Sequence, residues 1–294
     1  MKPASFDYHR PETLDEAMAL LDRFGADAKV LAGGQSLVPA MNFRLARPSV
    51  LVDLNRIESL DYISNAEDGG LRVGAMTRQR AVERSPAVAA ASPLLHETMP
   101  WIAHPQIRNR GTIGGSLAHA DPAAELPAVM VALDARWVLR SRTATRAIPA
   151  ATFYTGLFST ALGSGELLVE VAIPPGPPGS GTAFVEVARR HGDFALVGVA
   201  AQITLDQKGQ CAQARIALLS VGDGPVLAAN AAAVLKGRTV DAPAIEEAAR
   251  AAETDVDPPG DIHASAAYRR HLARVLVGRA LQKAAQRARP TAHS

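Results

Sequence analysis

The stretch Gly111-Thr112-Ile113-Gly114-Gly115-Ser116-Leu117-Ala118-His119-Ala120-Asp121-Pro122 places three glycines within five positions. Glycine lets a backbone approach a ligand closely, because no Cβ intervenes and positive φ costs little. Successive N–H groups freed in this way form an anion-binding nest suited to a pyrophosphate. The hydroxyls of Thr112 and Ser116 add neutral donors. Asp121-Pro122 reads as a helix start, with Asp as N-cap and Pro at the first helical position. The N-terminus of such a helix, running from Pro122 to Leu133, attracts phosphate oxygens.

A second glycine pair lies far upstream, in Ala32-Gly33-Gly34-Gln35-Ser36-Leu37, just after a short apolar segment with strand character. Two such loops can clasp one diphosphate from both sides. Taken singly, each loop reads equally as a turn, and neither has the Walker A or Gly-x-Gly-x-x-Gly spacing. The nearest approach to the latter, Gly222-Asp223-Gly224-Pro225-Val226-Leu227, lacks the final glycine and contains a proline, so it is set aside.

Around the loops the chain alternates helix and strand patterns. Thr13 and Glu16 form a capping box for a helix through Phe24, with Leu14, Ala17, Met18 and Leu21 on one face and Gly25 at its end. Lys29–Ala32 and Val50–Leu54 read as buried strands. Residues 57–75 read as strand, turn, strand, and Thr77 as the cap of a short helix through Val82. Arg108 and Arg110 stand before the second loop either as phosphate partners or as solvated surface. Segments 135–139 and 167–173 have strand character, and 150–162 has room for one helical turn. Four prolines within 174–178 cannot continue a helix or a central strand, so the domain boundary is placed near residue 178. Beyond it come strands at 183–188, 196–205 and 214–221, with Val199, Ala201, Ile203 and Leu205 alternating as in a half-buried strand. Helices are expected at 225–236, 243–252 and 264–285. In the last, Tyr268, Leu272, Val275, Leu276 and Leu281 form a core face and the arginines a solvated one.

The 294 residues are 48% hydrophobic and 20% charged, ordinary for a globular protein with a sizeable core. A net charge of +2 gives no basis for nucleic-acid binding. Cys211 is the single cysteine, which excludes disulfides and cysteine-ligated iron–sulfur clusters within the chain. No apolar run reaches the roughly 18–20 residues of a membrane span, and charged residues interrupt the N-terminal segment, so the expected location is cytoplasmic. There is no Gly-x-Ser-x-Gly elbow, no His-Glu-x-x-His, and no metal-ligand spacing among the eight histidines.

The segments Ala32-Gly33-Gly34-Gln35-Ser36-Leu37, Arg44-Leu45-Ala46, Leu51-Val52-Asp53-Leu54, Thr112-Ile113-Gly114-Gly115-Ser116 and Asp121-Pro122-Ala123-Ala124-Glu125-Leu126-Pro127 resemble the FAD-binding medium subunit of the molybdenum hydroxylases. Arg189-Arg190-His191-Gly192-Asp193-Phe194-Ala195 is similar to that family's segment beside the flavin ring. The resemblance covers nearly the whole chain. It implies an α+β fold: an FAD-binding domain, 1–177, of two α/β subdomains (about 1–56 and 57–177), then a smaller α+β domain, 178–288. The latter carries a three-stranded antiparallel sheet with helices, and 289–294 is expected to be a disordered tail.

The resemblance further implies FAD in this chain, a large molybdopterin-binding partner subunit, and a small partner with two [2Fe–2S] clusters, assembled as a dimer of heterotrimers. FAD-contact candidates are Ala32, Gly33, Gly34, Gln35, Ser36, Leu37, Gly111, Thr112, Ile113, Gly114, Gly115 and Ser116. His119 has two readings, phosphate contact or structural histidine. Asp121 combines an N-cap with an acceptor for a ribitol or ribose hydroxyl. Leu162 is a candidate for a backbone contact. Asp193 accepts from a ring N–H or stabilises its turn, and Phe194 stacks on the ring, gates one face, or is core. The implied activity is electron relay, with no acid–base catalytic residue. Two alternatives stand beside it: a self-contained flavin oxidoreductase, and a non-catalytic assembly subunit whose glycine loops are only turns.

Overall fold

The computed structural model describes residues 1–289; of the expected disordered tail, 290–294 lie outside the described residues. Near the N-terminus, β1 (Asp7–His9), α1 (Leu14–Phe24), β2 (Ala28–Leu31), α2 (Leu37–Asn42) and β3 (Val50–Asp53) form a small unit. Its three strands are all parallel, in the order β1-β3-β2. The capping box of α1 is present in full, and Ala17, Met18 and Leu21 are buried. The first glycine segment is the β2–α2 connection, at the C-terminal end of a parallel strand, where open parallel sheets bind ligands.

The next subdomain comprises β4 (Ile63–Asn65), β5 (Leu71–Gly74), α3 (Gln79–Arg84), α4 (Pro86–Ala91), α5 (Pro93–Thr98), α6 (Pro105–Arg108), α7 (Ile113–His119) and α8 (Glu125–Ala132). After these come β6 (Arg136–Arg140), β7 (Thr145–Pro149), β8 (Tyr154–Gly156), β9 (Ser159–Thr160) and β10 (Leu167–Ile173). An antiparallel sheet runs β4-β5-β10-β6-β7, with β8 and β9 a separate hairpin. Thr77 does not cap α3. Its hydroxyl donates to Tyr62 O at 2.9 Å and accepts from Tyr62 N at 3.1 Å, fastening β4 to the turn after β5.

The C-terminal part contains β11 (Ser180–Ala188), β12 (Ala195–Leu205), β13 (Cys211–Leu219), β14 (Val226–Leu227), α9 (Ala229–Leu235), α10 (Ala242–Ala251) and α11 (Ala266–Arg287). Its sheet has four antiparallel strands, β11-β12-β13-β14, one more than the sequence indicates. The short β14 occupies what reads as the first turn of a helix starting at Pro225, so α9 starts only at Ala229. Nor is β12 half-buried. Val197, Val199, Ala201 and Ile203 face the core built with α9, α10 and α11. Ala195 and Ala200, with Phe184, Ala217 and Leu219, join the core of the preceding subdomain. A sheet covered by helices on both faces buries both sets of side chains.

Two charged residues also depart from expectation. Arg269 on α11 is buried and donates to Leu196 O and to Asp261, both at 2.6 Å, whereas Tyr268 faces outward. Arg108 is 4% exposed, neither surface nor phosphate partner. It pairs with Glu83 at 2.9 Å and donates to Ile102 O at 2.7 Å.

Candidate functional site

The fold brings the two glycine segments into contact. A Cβ on Gly33 would lie 2.3 Å from Arg110 O and 2.7 Å from Gly111 Cα, and one on Gly115 would lie 3.2 Å from Ala32 Cβ. Only Gly34, at φ 74°, uses the left-handed backbone. For Gly33 and Gly115 the requirement is the missing side chain. Gly114 is buried against β5, where a Cβ would meet Ala75 Cβ at 2.5 Å, so its smallness seats α7 on the sheet.

The donors are distributed unevenly. Thr112 is the N-cap of α7, and its buried hydroxyl accepts from Gly115 N at 3.0 Å. Ile113 N donates to Thr77 O and Gly114 N to Ala75 O, while the Ile113 side chain is core. The second segment is therefore a capped helical turn whose N–H groups are engaged, not a free nest. What it offers outward are the backbone of Gly115 and the Ser116 hydroxyl, with the positive end of α7 behind them. Among the described residues, the N–H groups of Gly33, Gly34, Gln35 and Ser36 donate to nothing, while Gln35 Nε2 donates to Gly33 O at 3.0 Å. Four uncommitted donors on a glycine turn, facing a helix start, fit the oxygens of a diphosphate.

Asp121 does not cap α8, whose N-cap is Ala124. Its Oδ1 accepts from Ala123 N at 2.9 Å and its carbonyl from Ala124 N at 3.1 Å, so Pro122 sits in a turn preceding the helix. The carboxylate is half-buried, with one oxygen left to accept from a hydroxyl. His119, at the end of α7, packs 5.3 Å from the Phe158 ring. Desolvation pushes its imidazole below the usual value; Asp121 opposes this and Lys29 reinforces it. Leu37 opens α2. Leu162 packs on the middle core beyond the β8–β9 hairpin, where its N donates to Thr160 Oγ1 at 3.4 Å.

The segment 189–195 is seated on residues 101–104. Gly192, at φ 87°, presses on the His104 ring, and Trp101 stacks on His191 at 6.2 Å. Asp193 pairs with Arg189 at 3.5 Å. Phe194 is 69% exposed, which removes the core reading. Ser220 was not legible as part of this region. Its N donates to Pro122 O at 2.8 Å and its Oγ to Ala195 O at 2.7 Å, which brings the Asp121 and Phe194 segments together. Its φ of 61° is uncommon outside glycine, and no motif announces it.

Two further residues escaped the sequence reading. Asn55 Nδ2 donates to Ala32 O at 2.9 Å, and Arg78 Nη1 donates to Arg110 O at 2.5 Å. Burial lowers the Arg78 pKa, with Arg110 adding to the effect, and Asp61 and Asp53 oppose it. Behind Asp121, burial raises Glu125 to about 7 and Glu186 to about 8, each aided by a neighbouring carboxylate. Among the described residues no cluster of His, Cys, Asp or Glu is arranged to hold a metal ion, and no helix is long and apolar enough to cross a membrane.

Comparison with known proteins agrees with this geometry. Residues 4–176 match the family described as "FAD binding domain in molybdopterin dehydrogenase", and 182–284 match "CO dehydrogenase flavoprotein C-terminal domain". The chain is 47% identical to the 6-hydroxypseudooxynicotine dehydrogenase complex subunit alpha of Paenarthrobacter nicotinovorans, over 100% of this chain and 99% of that one. It is 41% identical to the carbon monoxide dehydrogenase medium chain of Afipia carboxidovorans, over 98% and 100%. The solved carbon monoxide dehydrogenase of Hydrogenophaga pseudoflava, in the form lacking the Mo-pyranopterin moiety, superposes with a TM-score of 0.95 at 39% identity, covering 98% of this chain and 100% of that one. The chain belongs to the FAD-binding medium subunits of the molybdenum hydroxylase family, a family of oxidoreductases.

Proposed function

We propose that this chain holds one FAD with its diphosphate between the Gly33–Ser36 turn and the start of α7, and relays electrons for a heterotrimeric molybdenum hydroxylase. The observation that carries the reading is the contact of Gly33 with Arg110–Gly111 and of Gly115 with Ala32. In this reading the free N–H groups of residues 33–36 bind phosphate oxygens, and Ser116 donates from the opposite wall. Asp121 accepts from a sugar hydroxyl, and Phe194 and Asp193 flank the ring. Flavin supplies the chemistry of accepting electrons singly and delivering them as a pair. The protein's part is to bind, orient and shield it.

The reading includes a large molybdopterin subunit, a small subunit with two [2Fe–2S] clusters as electron donor, a dimer of heterotrimers, and a cytoplasmic location. It is supported by the relatives' names as dehydrogenase subunits and medium chains, and by the single cysteine, which leaves clusters to another polypeptide. The purified full chain is expected to be yellow and to release one FAD per chain on denaturation. Gly115→Val, whose side chain meets Thr112 and Ala32, is expected to lose it. A colourless chain that cannot be reconstituted with FAD, yet co-purifies with its partners, would instead indicate an assembly subunit. Bleaching of the flavin by a small substrate in the isolated chain would indicate a self-contained oxidoreductase.

A further inference from the structure

The two glycine segments touch, yet no backbone hydrogen bond runs directly between residues 32–36 and 110–116. Two side chains bridge them instead. Asn55, just after β3, donates from Nδ2 to Ala32 O at 2.9 Å, and its Oδ1 accepts from Arg78 Nη2 at 2.6 Å. Arg78, at the start of α3, reaches with Nη1 to Arg110 O at 2.5 Å. That carbonyl oxygen is the same atom that lies against the α-carbon of Gly33. The result is a continuous chain of bonds from the first loop to the second: Ala32, Asn55, Arg78, Arg110.

Both inner members of this chain are themselves anchored. Asn55 N donates to Asp53 Oδ1 at 2.9 Å, and the buried Asp53 also accepts from the Tyr8 hydroxyl. The Arg78 backbone bridges to Thr112, and Gln79 N donates to Gly111 O at 2.9 Å. An arginine suits the central place because its rigid fork donates in two directions at once, whereas a lysine offers a single flexible point charge.

We propose that Asn55 and Arg78 form a latch that sets the separation of the two glycine loops, making both positioning residues for the diphosphate of FAD. This rests on the flavin reading above. A pocket of about 260 Å³ lined by Asn55, Ile57, Glu58, Asp61, Met76 and Arg78 opens beside the latch. It is large enough to admit a guanidinium ion to the place of a truncated Arg78.

The test is a titration of the deflavinated full chain with FAD and, separately, with ADP, which carries the diphosphate without the flavin ring. Arg78→Ala and Asn55→Ala are each expected to weaken both ligands about tenfold, the scale of losing a hydrogen bond to a charged group. The double variant is expected to lose little more than either single one, because both break the same chain. Millimolar guanidinium is expected to restore Arg78→Ala, leaving the wild type unchanged. Arg78→Lys, which keeps charge and most of the packing, guards against simple unfolding and is expected to fall between wild type and Arg78→Ala. Wild-type affinity in folded Arg78→Lys and Asn55→Ala, or strictly additive losses in the double variant, would overturn the latch. A wild-type chain that binds neither FAD nor ADP would overturn the flavin reading and the latch with it.

Discussion

Replacing Gly33 by alanine adds one methyl group at the point where the two glycine loops meet. The new Cβ would lie 2.3 Å from Arg110 O, 2.7 Å from Gly111 Cα and 2.9 Å from Arg110 C, all backbone atoms that no rotamer change can move aside. Ordinary carbon contacts start near 3.5 Å, so the second loop must retreat by about 1 Å. Gly33 does not have a left-handed φ, so the effect is purely steric. Overpacking of this kind costs about 1–3 kcal/mol. The same retreat pulls Arg110 O away from Arg78 and widens the proposed diphosphate groove. Differential scanning calorimetry of the full chain, with and without FAD, is expected to show a lower Tm for Gly33→Ala, by about 2–4 °C per kcal/mol. FAD is expected to return less of that loss than it adds to the wild type, because binding weakens too. Gly176→Ala is the control: nothing lies within 4 Å of its Cβ position, and its φ is not left-handed. A Gly33→Ala chain with the Tm and FAD affinity of Gly176→Ala would refute the argument that the loops are in contact.

Glu125 and Glu186 titrate in the folded chain at about 7 and about 8, well above an unfolded carboxyl near 4.3. Between these limits the folded state binds more protons, so stability is expected to fall as pH rises from about 5 to about 8. Glu186→Gln is expected to flatten that slope in Tm against pH, and an unchanged slope would contradict the assignment. Arg108→Ala leaves the poorly exposed Glu83 with Arg80 alone and is expected to cost about 3 kcal/mol in denaturant unfolding; a loss below 1 kcal/mol would show the pair to be solvated. Ser220→Ala removes the bond to Ala195 O and is expected to destabilise by about 1 kcal/mol. It should also alter the visible circular dichroism of bound FAD if Phe194 flanks the ring, and an unaltered spectrum would separate that segment from the flavin.

Much of the architecture was legible because local signals and burial agreed. The Thr13–Glu16 capping box and Gly25 fix α1. The pairing of two distant Gly-Gly segments was legible too, as a chemical demand of one diphosphate. The form of the second segment was not. Gly114 and Gly115 argue against a helix on propensity, yet Thr112 caps one and Ile113 and Leu117, four apart, bury together beneath it. Packing outweighed propensity there.

Asp121-Pro122 misled for a related reason. The pair is competent to start a helix, but Ser220 N holds Pro122 O in a turn, and that bond comes from the residue just after β13, about a hundred positions away. Likewise the alternation in β12 gives the face that packs on α11, while the burial of the other face depends on α8 from the preceding subdomain. Asn55, Arg78 and Ser220 carry no motif at all. They are lone polar residues whose roles exist only once the chain has folded.

The most direct measurement of the central claim is an experimental structure of the chain with FAD bound. The diphosphate is predicted to lie within hydrogen-bond distance of N–H groups among Gly33, Gly34, Gln35 and Ser36, with Gly115 and Ser116 on its other side. A diphosphate seated elsewhere, with those N–H groups left facing solvent, would contradict it.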